Sequence, residues 1–395
     1  MGYLCNVKKQ YWISFFYALI PAYVIERLFW QQRGMNVQMV IYCEIIYALT
    51  VILLEIPSGI LADRFGRKRM LSLNGILSAT EMLLLLFARH FWQFALAVFL
   101  AGIGKALSSG SEKALLYDSL AVAGEQDHFE KRMGRLSAVD FTGSLIAALC
   151  GGVLANYFCF EFNYALSVVS MLIAFSITLT LREPPFLTRP ESELTGMRQY
   201  AKQSLRLFGR EPLVLLYCLT GAVTGACLIY LDEFWQLIME DVGVPVLFFG
   251  AIGAAGMLFR IPANLLAYRL KEKFRYEIIL TCLVSVSAVG YTAVFLTRNA
   301  FCLIPMIGVT VVGGIAEPLI SGYLHHHTES HIRATVESFS SLGLRVISIP
   351  IGLLFGYIST AHSIFAGFAV LGGICLAYLV FLRSIRRSDK IFKSR

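Results

Sequence analysis

The sequence predicts an all-α membrane protein with twelve transmembrane helices in two pseudosymmetric six-helix bundles. Composition, the spacing of apolar runs and an internal repeat carry that prediction. The chain has 395 residues, 57% hydrophobic and 15% charged, whereas soluble chains average about 25% charged and about 45–50% apolar. At a mean hydropathy of +0.67 over 44.0 kDa, too few ionisable side chains remain to cover a water-solvated surface. Disorder, coiled coil, collagen and a disulfide-rich secreted fold are excluded on the same count. The net charge of +8 needs its own account, because a basic balance also marks nucleic-acid binding.

A membrane span needs roughly 20 mostly apolar residues. Twelve stretches qualify: Tyr11–Trp30, Val37–Pro57, Met70–Ala88, Trp92–Glu112, Leu136–Phe158, Phe162–Leu181, Leu213–Leu231, Val244–Leu266, Glu277–Leu296, Phe301–Leu324, Thr335–Ile358 and Ser363–Leu382. Most joints are short, so sequential helices run antiparallel. The long joint 182–212 carries Pro184, Pro185 and Pro190, then a basic stretch, Met197–Arg210, suited to an amphipathic surface helix. The expected organisation is a first bundle over 1–181, a cytoplasmic linker over 182–212 and a second bundle over 213–395. Lys8 and Lys9 lead into the first span with no small-residue cleavage site, so no cleavable signal peptide is expected.

The basic surplus follows the joints. With the N-terminus inside, one side holds Arg64, Arg67, Lys68, Arg69, Lys131, Arg132, Arg135, Arg269, Lys271, Lys273 and Arg275, besides the linker and the tail from Arg383 to Arg395. The other side holds only Arg33, Arg89 and Arg298. Positive charge concentrates on cytoplasmic loops, so both termini are expected in the cytoplasm and no nucleic-acid partner is implied. The nine cysteines are dispersed without a CxxC pair and read as packing residues.

The two halves align at a single offset of 205 residues. Phe29-Trp30-Gln31 matches Phe234-Trp235-Gln236, Glu55-Ile56-Pro57 matches Arg260-Ile261-Pro262, and Leu61-Ala62 with Arg64 matches Leu266-Ala267 with Arg269. Glu112 matches Glu317, Asp140 matches Arg345, and Gly151 matches Gly356. Parallel six-helix repeats are the layout of a transporter class whose halves rock about a midplane site.

The segment Glu55-Ile-Pro-Ser-Gly59-Ile-Leu-Ala-Asp63-Arg64-Phe-Gly66-Arg67-Lys68-Arg69 resembles the signature loop between spans two and three of the major facilitator superfamily. Tyr268–Arg275 resembles its degenerate copy. Gly134, Gly143, Gly151 and Gly152 keep the spacing of the superfamily's antiporter motif, although Ala147-Ala148 stands where that motif has Gly-Pro. The resemblance spans essentially the whole chain, and bacterial drug-efflux members are most similar. It implies alternating access, a monomer in the bacterial cytoplasmic (inner) membrane, and an acidic residue, here Asp118, that docks on Arg64 or Arg67.

Charged groups at span depth cost from about 2.5 kcal/mol upward and so face a cavity or a partner. The candidates are Glu26, Arg27, Glu44, Glu55, Lys105, Glu112, Asp140, Asp232, Glu233, Arg260, Glu317 and Arg345. Lys105, Ser108 and Glu112 fall on one helical face. Glu112 and Glu317 are repeat equivalents, and Pro318 loosens the helix beside Glu317. The resemblance brings spans two and eleven together, and likewise five and eight. It therefore implies gating pairs Glu55–Arg345 and Asp140–Arg260, with Arg27–Asp232 nearer the outer side. A desolvated carboxylate can load and release a proton near neutral pH, which makes Glu26, Asp232, Glu233 and Glu317 the candidate proton carriers. Tyr17, Tyr23 and Trp235 are candidates for stacking a flat ligand.

His325, His326, His327 and His331 read as a polar loop rather than a metal site, and no cofactor or metal is expected. Without a P-loop, a nucleophile elbow or metal-ligand spacing, neither enzyme chemistry nor ATP use is expected. The expected function is proton-coupled efflux of amphipathic organic compounds, with a small-molecule substrate, protons and the lipid bilayer as partners. A carrier for another solute (siderophore, peptide or sugar) and a non-cycling sensor or lipid-handling protein remain the alternatives.

Overall fold

The computed structural model describes residues 3–185, 212–326 and 333–387. Met197–Arg210, His327, His331 and the tail beyond residue 387 lie outside the described residues, as do the side chains of Asp63, His325 and His326. Among the described residues the chain is helical and without strands. Among the described residues eleven helices are long and apolar enough to cross a membrane, or twelve if one bent pair is a single span.

That bent pair is the first span. It was expected as one run from Tyr11 to Trp30, but the structure divides it into α1 (Leu4–Ala18) and α2 (Glu26–Gln32), and Leu4–Val24 meets Glu26–Gln32 at a bend of 48°. Pro21 opens the intervening turn Pro21–Val24, because proline cannot donate a helical hydrogen bond. α1 also begins before the apolar run. Its buried face carries Asn6, Gln10 and Ser14, the first two ahead of the apolar run.

The remaining first-half helices are α3 (Val37–Phe65), α4 (Arg67–Phe87), α5 (Phe91–Val122), α6 (Phe129–Tyr157) and α7 (Phe160–Leu179). Asn36 caps α3, its Oδ1 accepting from the Met39 amide at 2.9 Å. Gln93 closes the start of α5 by accepting from the Arg89 and His90 amides. α3 and α4 are divided by Gly66 alone, at φ +96°, a conformation that only glycine adopts cheaply.

The second half holds α8 (Pro212–Asp241), α9 (Phe249–Lys273), α10 (Tyr276–Thr297), α11 (Leu303–His326), α12 (Arg333–Ala361) and α13 (Ile364–Arg387). The chain forms two compact units, Met1–Thr188 with Val244–Ala254, and Arg189–Gly243 with Ala255–Arg395. In the first unit α1 packs on α6, and α4 on α5 and α7. In the second, α8 packs on α12, and α10 on α11 and α13. These adjacencies correspond under the 205-residue repeat, so the internal likeness extends from sequence to packing. Large apolar side chains stay exposed on the spans, Leu53 at 71% and Leu265 at 72%, as suits helices solvated by lipid.

Candidate functional site

In the first unit polar and charged side chains of α1, α4, α5 and α6 meet. On α1 the buried polar residues follow a helical stripe, and each has a partner. Asn6 donates to Ser119 Oγ at 3.0 Å and to the Arg182 carbonyl at 2.8 Å. Gln10 donates to the Glu112 carbonyl at 3.0 Å, and Ser14 to the Asp140 carboxylate at 3.4 Å. Asn74 of α4 donates to the Tyr17 hydroxyl at 3.3 Å and accepts from Ser78. Lys105, Glu112 and Asp140 lie within Coulombic reach of one another. Thus the structure gathers the predicted α5 face and Asp140 into one polar lane. Glu55, one of the predicted gating residues, is exposed on α3.

A second group surrounds the bend in the first span. Arg27 is only 4% exposed. Its Nη2 lies 2.7 Å from Glu44 Oε1 and its Nη1 3.8 Å from Glu26. The guanidinium also sits 4.7 Å from the Trp30 ring centroid, and the Trp30 indole donates to the Tyr164 hydroxyl at 3.1 Å. The bend itself is held from α7. Asn163 Nδ2 donates to the Pro21 carbonyl at 3.3 Å and to the Gly151 carbonyl at 2.9 Å. Glycines keep α6 close: a Cβ on Gly143 would stand 2.6 Å from the Phe15 carbonyl, and one on Gly151 2.7 Å from that of Pro21. A Cβ on Gly152 would stand 2.7 Å from the Gly250 amide in the same unit. Three of the motif glycines therefore serve close backbone approach.

The signature loop is built around Arg67. Arg67 ion-pairs with Asp118, both nearly buried, and also donates to the Ala114 carbonyl at 2.8 Å. Glu183 closes the loop from outside the spans, accepting from the Arg67 amide at 2.7 Å and the Lys68 amide at 2.8 Å. Arg64 is exposed and stacks on Phe65, and Gly59 has open space around it.

In the second unit Arg260 holds Asp232 at 2.5 Å. The sequence reading matched Arg27 with Asp232 and Asp140 with Arg260. Here each has a partner inside its own unit, because Glu44 and Glu26 on one side and Asp232 on the other are within arm's length in the same bundle. Glu233 and Trp235 follow Asp232 on α8, partly buried, and Arg345 is partly buried on α12. Glu317 lines a cavity of about 400 Å³ between α8, α10, α11 and α12. Its walls are small and hydroxylated: Gly221, Gly225 and Gly313, with Thr224, Ser287, Ser321, Ser340 and Ser341. No group of His, Cys, Asp and Glu suited to a metal ion occurs among the described residues.

The family model of the Major Facilitator Superfamily matches residues 11–336. The chain belongs to this superfamily. Its helix count and paired bundles are those of a superfamily transporter. The MFS-type transporter YxaM of Bacillus subtilis is 24% identical over 335 residues, covering 83% of this chain and 82% of its own. The multidrug resistance protein MdtG of Citrobacter koseri is 22% identical, covering 87% and 84%. Among solved structures, the nucleoside transporter NupG superimposes with a TM-score of 0.75 at 13% identity, covering 100% of each chain.

Several site residues escaped the sequence reading. Glu81 on α4 lies within Coulombic reach of Glu26; a lone carboxylate inside an apolar run was its available signal. Asn6, Gln10 and Ser14 sat in or beside that first apolar run and were unremarkable without a helix boundary. Glu183 had no local signal, since its partners are backbone amides more than a hundred residues away in the chain.

Proposed function

We propose that this transporter exports amphipathic organic compounds by proton-coupled alternating access. It would act as a monomer in the bacterial cytoplasmic (inner) membrane with both termini inside. The observation that carries the reading is Glu317: the one charged side chain among the described residues lining a small-molecule-sized cavity. The likeness to a multidrug resistance protein favours export over uptake. The sequence asymmetry in Lys and Arg between joints supports the orientation.

In this reading Glu26, Asp232, Glu233 and Glu317 are the groups through which protons cross. Asp232 does so only when Arg260 lets go. Closure on the inner side uses Glu55 with Arg345 and Asp140 with Arg260, so Arg260 exchanges Asp232 for Asp140 as the cycle turns. Everted vesicles given a fluorescent amphipathic compound in the medium test the whole reading. Accumulation should follow the imposed proton gradient and collapse with an uncoupler. Accumulation indifferent to the uncoupler would end the proton-coupling assignment.

A further inference from the structure

One face of α4 in the first unit carries Asn74, Ser78 and Glu81, spaced i, i+4 and i+7. On α1 Gln10, Ser14 and Tyr17 repeat that spacing. The two faces meet. Asn74 donates to the Tyr17 hydroxyl and accepts from Ser78, each at 3.3 Å, and Ser78 also hydrogen-bonds with Tyr17. α5 closes over this trio at Gly104, where a Cβ would stand 2.6 Å from Asn74 Oδ1. Farther along α4, Glu81 is within Coulombic reach of Glu26. On the other side Tyr17 is within reach of Glu112, and Glu112 of Asp140. At the Glu112 end Gln10 is 2% exposed, and its Oε1 has no hydrogen-bond partner among the described residues.

The internal repeat shows that packing does not require this polarity. At the 205-residue offset Gln10, Ser14 and Tyr17 correspond to Leu215, Leu219 and Ala222. Asn74, Ser78 and Glu81 correspond to Ile279, Leu283 and Val286, and Glu26 to Leu231. Ile279 and Leu283 belong to the apolar core of the second unit. Of the whole series only Glu112 keeps its type, as Glu317. The same helix positions hold hydrocarbon in one bundle and hydrogen-bonding groups in the other. Polar and ionisable groups placed at span depth without a packing need mark ion and proton pathways.

We propose that these side chains form a proton wire through the interior of the first unit, from the Glu26–Glu81 pair to Glu112. The two paired carboxyls hold a proton between them. A proton leaving the Glu81 carboxyl is taken by the Ser78 oxygen as Ser78 passes its own to Tyr17, and Tyr17 its own to the Glu112 carboxylate. Each hydroxyl ends with the proton count it began with. Asn74 is a positioning residue that holds both hydroxyls in line. Around Glu26 stand Arg27, Tyr23, Glu44 and Cys43 of α3, and Tyr164 of α7; around Glu112 stand Lys105, Lys113 and Asp140. Arg27 is committed to Glu44 at 2.7 Å and to Glu26 at 3.8 Å, and Glu81 makes no ion pair among the described residues.

This inference rests on the proton-coupled reading above and deepens it, and its test separates the two. Infrared difference spectra of the purified full-length protein through a pH titration need no substrate. Wild-type protein should show a carboxyl band that titrates; Glu81→Gln should delete it and Glu26→Gln should shift its midpoint. A tyrosine band, assigned by its loss in Tyr17→Phe, should move with the same midpoint, and Ser78→Ala should break that link. Ser78→Thr, which keeps the hydroxyl, should preserve it. Should Glu81→Gln not yield monodisperse protein, Glu81→Val replaces it: the second unit packs valine at that position, so the melting temperature should hold or rise while the band is lost.

A titrating carboxyl band that survives loss of Glu81, or a Tyr17 band indifferent to that titration, overturns the wire. Everted vesicles given ethidium supply the transport readout. Ser78→Ala and Tyr17→Phe should lower the ratio of gradient-driven accumulation to ethidium exchange several-fold, because exchange needs no net proton movement. A network with a purely structural role would lower both rates together, and an unchanged ratio overturns the wire. Accumulation indifferent to an uncoupler would sink the proton-coupled reading, while the linked titration of Glu81 and Tyr17 would leave the proton site standing.

Discussion

Arg67 on α4 and Asp118 on α5 form an ion pair in which neither side chain is more than about a tenth exposed, at 8% and 10%. Breaking a buried pair strands the surviving charge, which typically costs about 3–5 kcal/mol. Asp118→Asn and Arg67→Gln should each lower the melting temperature by several degrees in detergent. Arg67→Lys should rescue poorly, because the guanidinium also serves the Ala114 carbonyl at 2.8 Å and an ammonium lacks that fork. The double variant Arg67→Leu/Asp118→Leu should lose less than the two single variants summed. Full additivity would show that the two side chains do not act as a pair.

Gly59 and Gly66 of the signature loop should respond to alanine in opposite directions. Gly66 sits at φ +96°, and a Cβ there would lie 3.0 Å from the Glu183 carboxylate. Gly59 is inside α3 with nothing within 4 Å. Gly66→Ala should destabilise, through a left-handed-region strain of roughly 1–2 kcal/mol and displacement of Glu183. Gly59→Ala should be neutral or raise stability by up to about 1 kcal/mol through helix propensity. Glu183→Ala should cost about 1 kcal/mol as a lost helix cap. Thermal unfolding of the three variants, ranked, checks the set; a Gly59→Ala loss as large as that of Gly66→Ala would refute it.

The fold was legible because a bilayer demands long apolar runs, and runs such as Phe162–Leu181 and Leu213–Leu231 declare themselves by composition. The bend in the first span was not. Pro21 stands within an apolar run, and proline inside spans elsewhere leaves the helix intact: Pro57 lies within α3 and Pro318 within α11. What marks the break is a partner for the Pro21 carbonyl, and that partner is Asn163, 142 residues away. The charged candidates were legible for a related reason, since each interrupts an apolar run. Their pairing was not, because Arg27 has carboxylates at Glu26 and Glu44 within its own unit and spacing does not rank them. Glu183 illustrates the limit: a carboxylate bonded to two main-chain amides leaves no side-chain pattern to match.

Asn163 is the clamp on that bend. It is fully buried and donates to two carbonyls from different helices, Pro21 and Gly151. Removing it takes away two donated hydrogen bonds, each contributing about 0.5–1.5 kcal/mol net. Asn163→Leu should therefore destabilise more than Ser167→Ala, which removes one hydroxyl bonded within its own helix and to the Ala22 amide. Proteolysis between Ala18 and Glu26 should accelerate in the Asn163→Leu variant. Unchanged cleavage and melting would show that the proline alone sets the bend.

Asp232 and Arg260 should behave in the opposite way from Arg67 and Asp118, although their nitrogen–oxygen distance is 2.5 Å. Their side chains are 46% and 38% exposed, and open pairs contribute only about 0–1 kcal/mol. Asp232→Asn should therefore shift the melting temperature little. If Arg260 changes partner during the cycle, the same variant should still depress transport, and the charge swap Asp232→Arg/Arg260→Asp should not restore it, because Asp140 would then face a carboxylate. A swap that recovers full transport would make the pair a fixed staple whose sign is immaterial. A melting loss as deep as that of Asp118→Asn would place Asp232 and Arg260 among the structural pairs, and the exchange of Arg260 between two carboxylates would have to be abandoned.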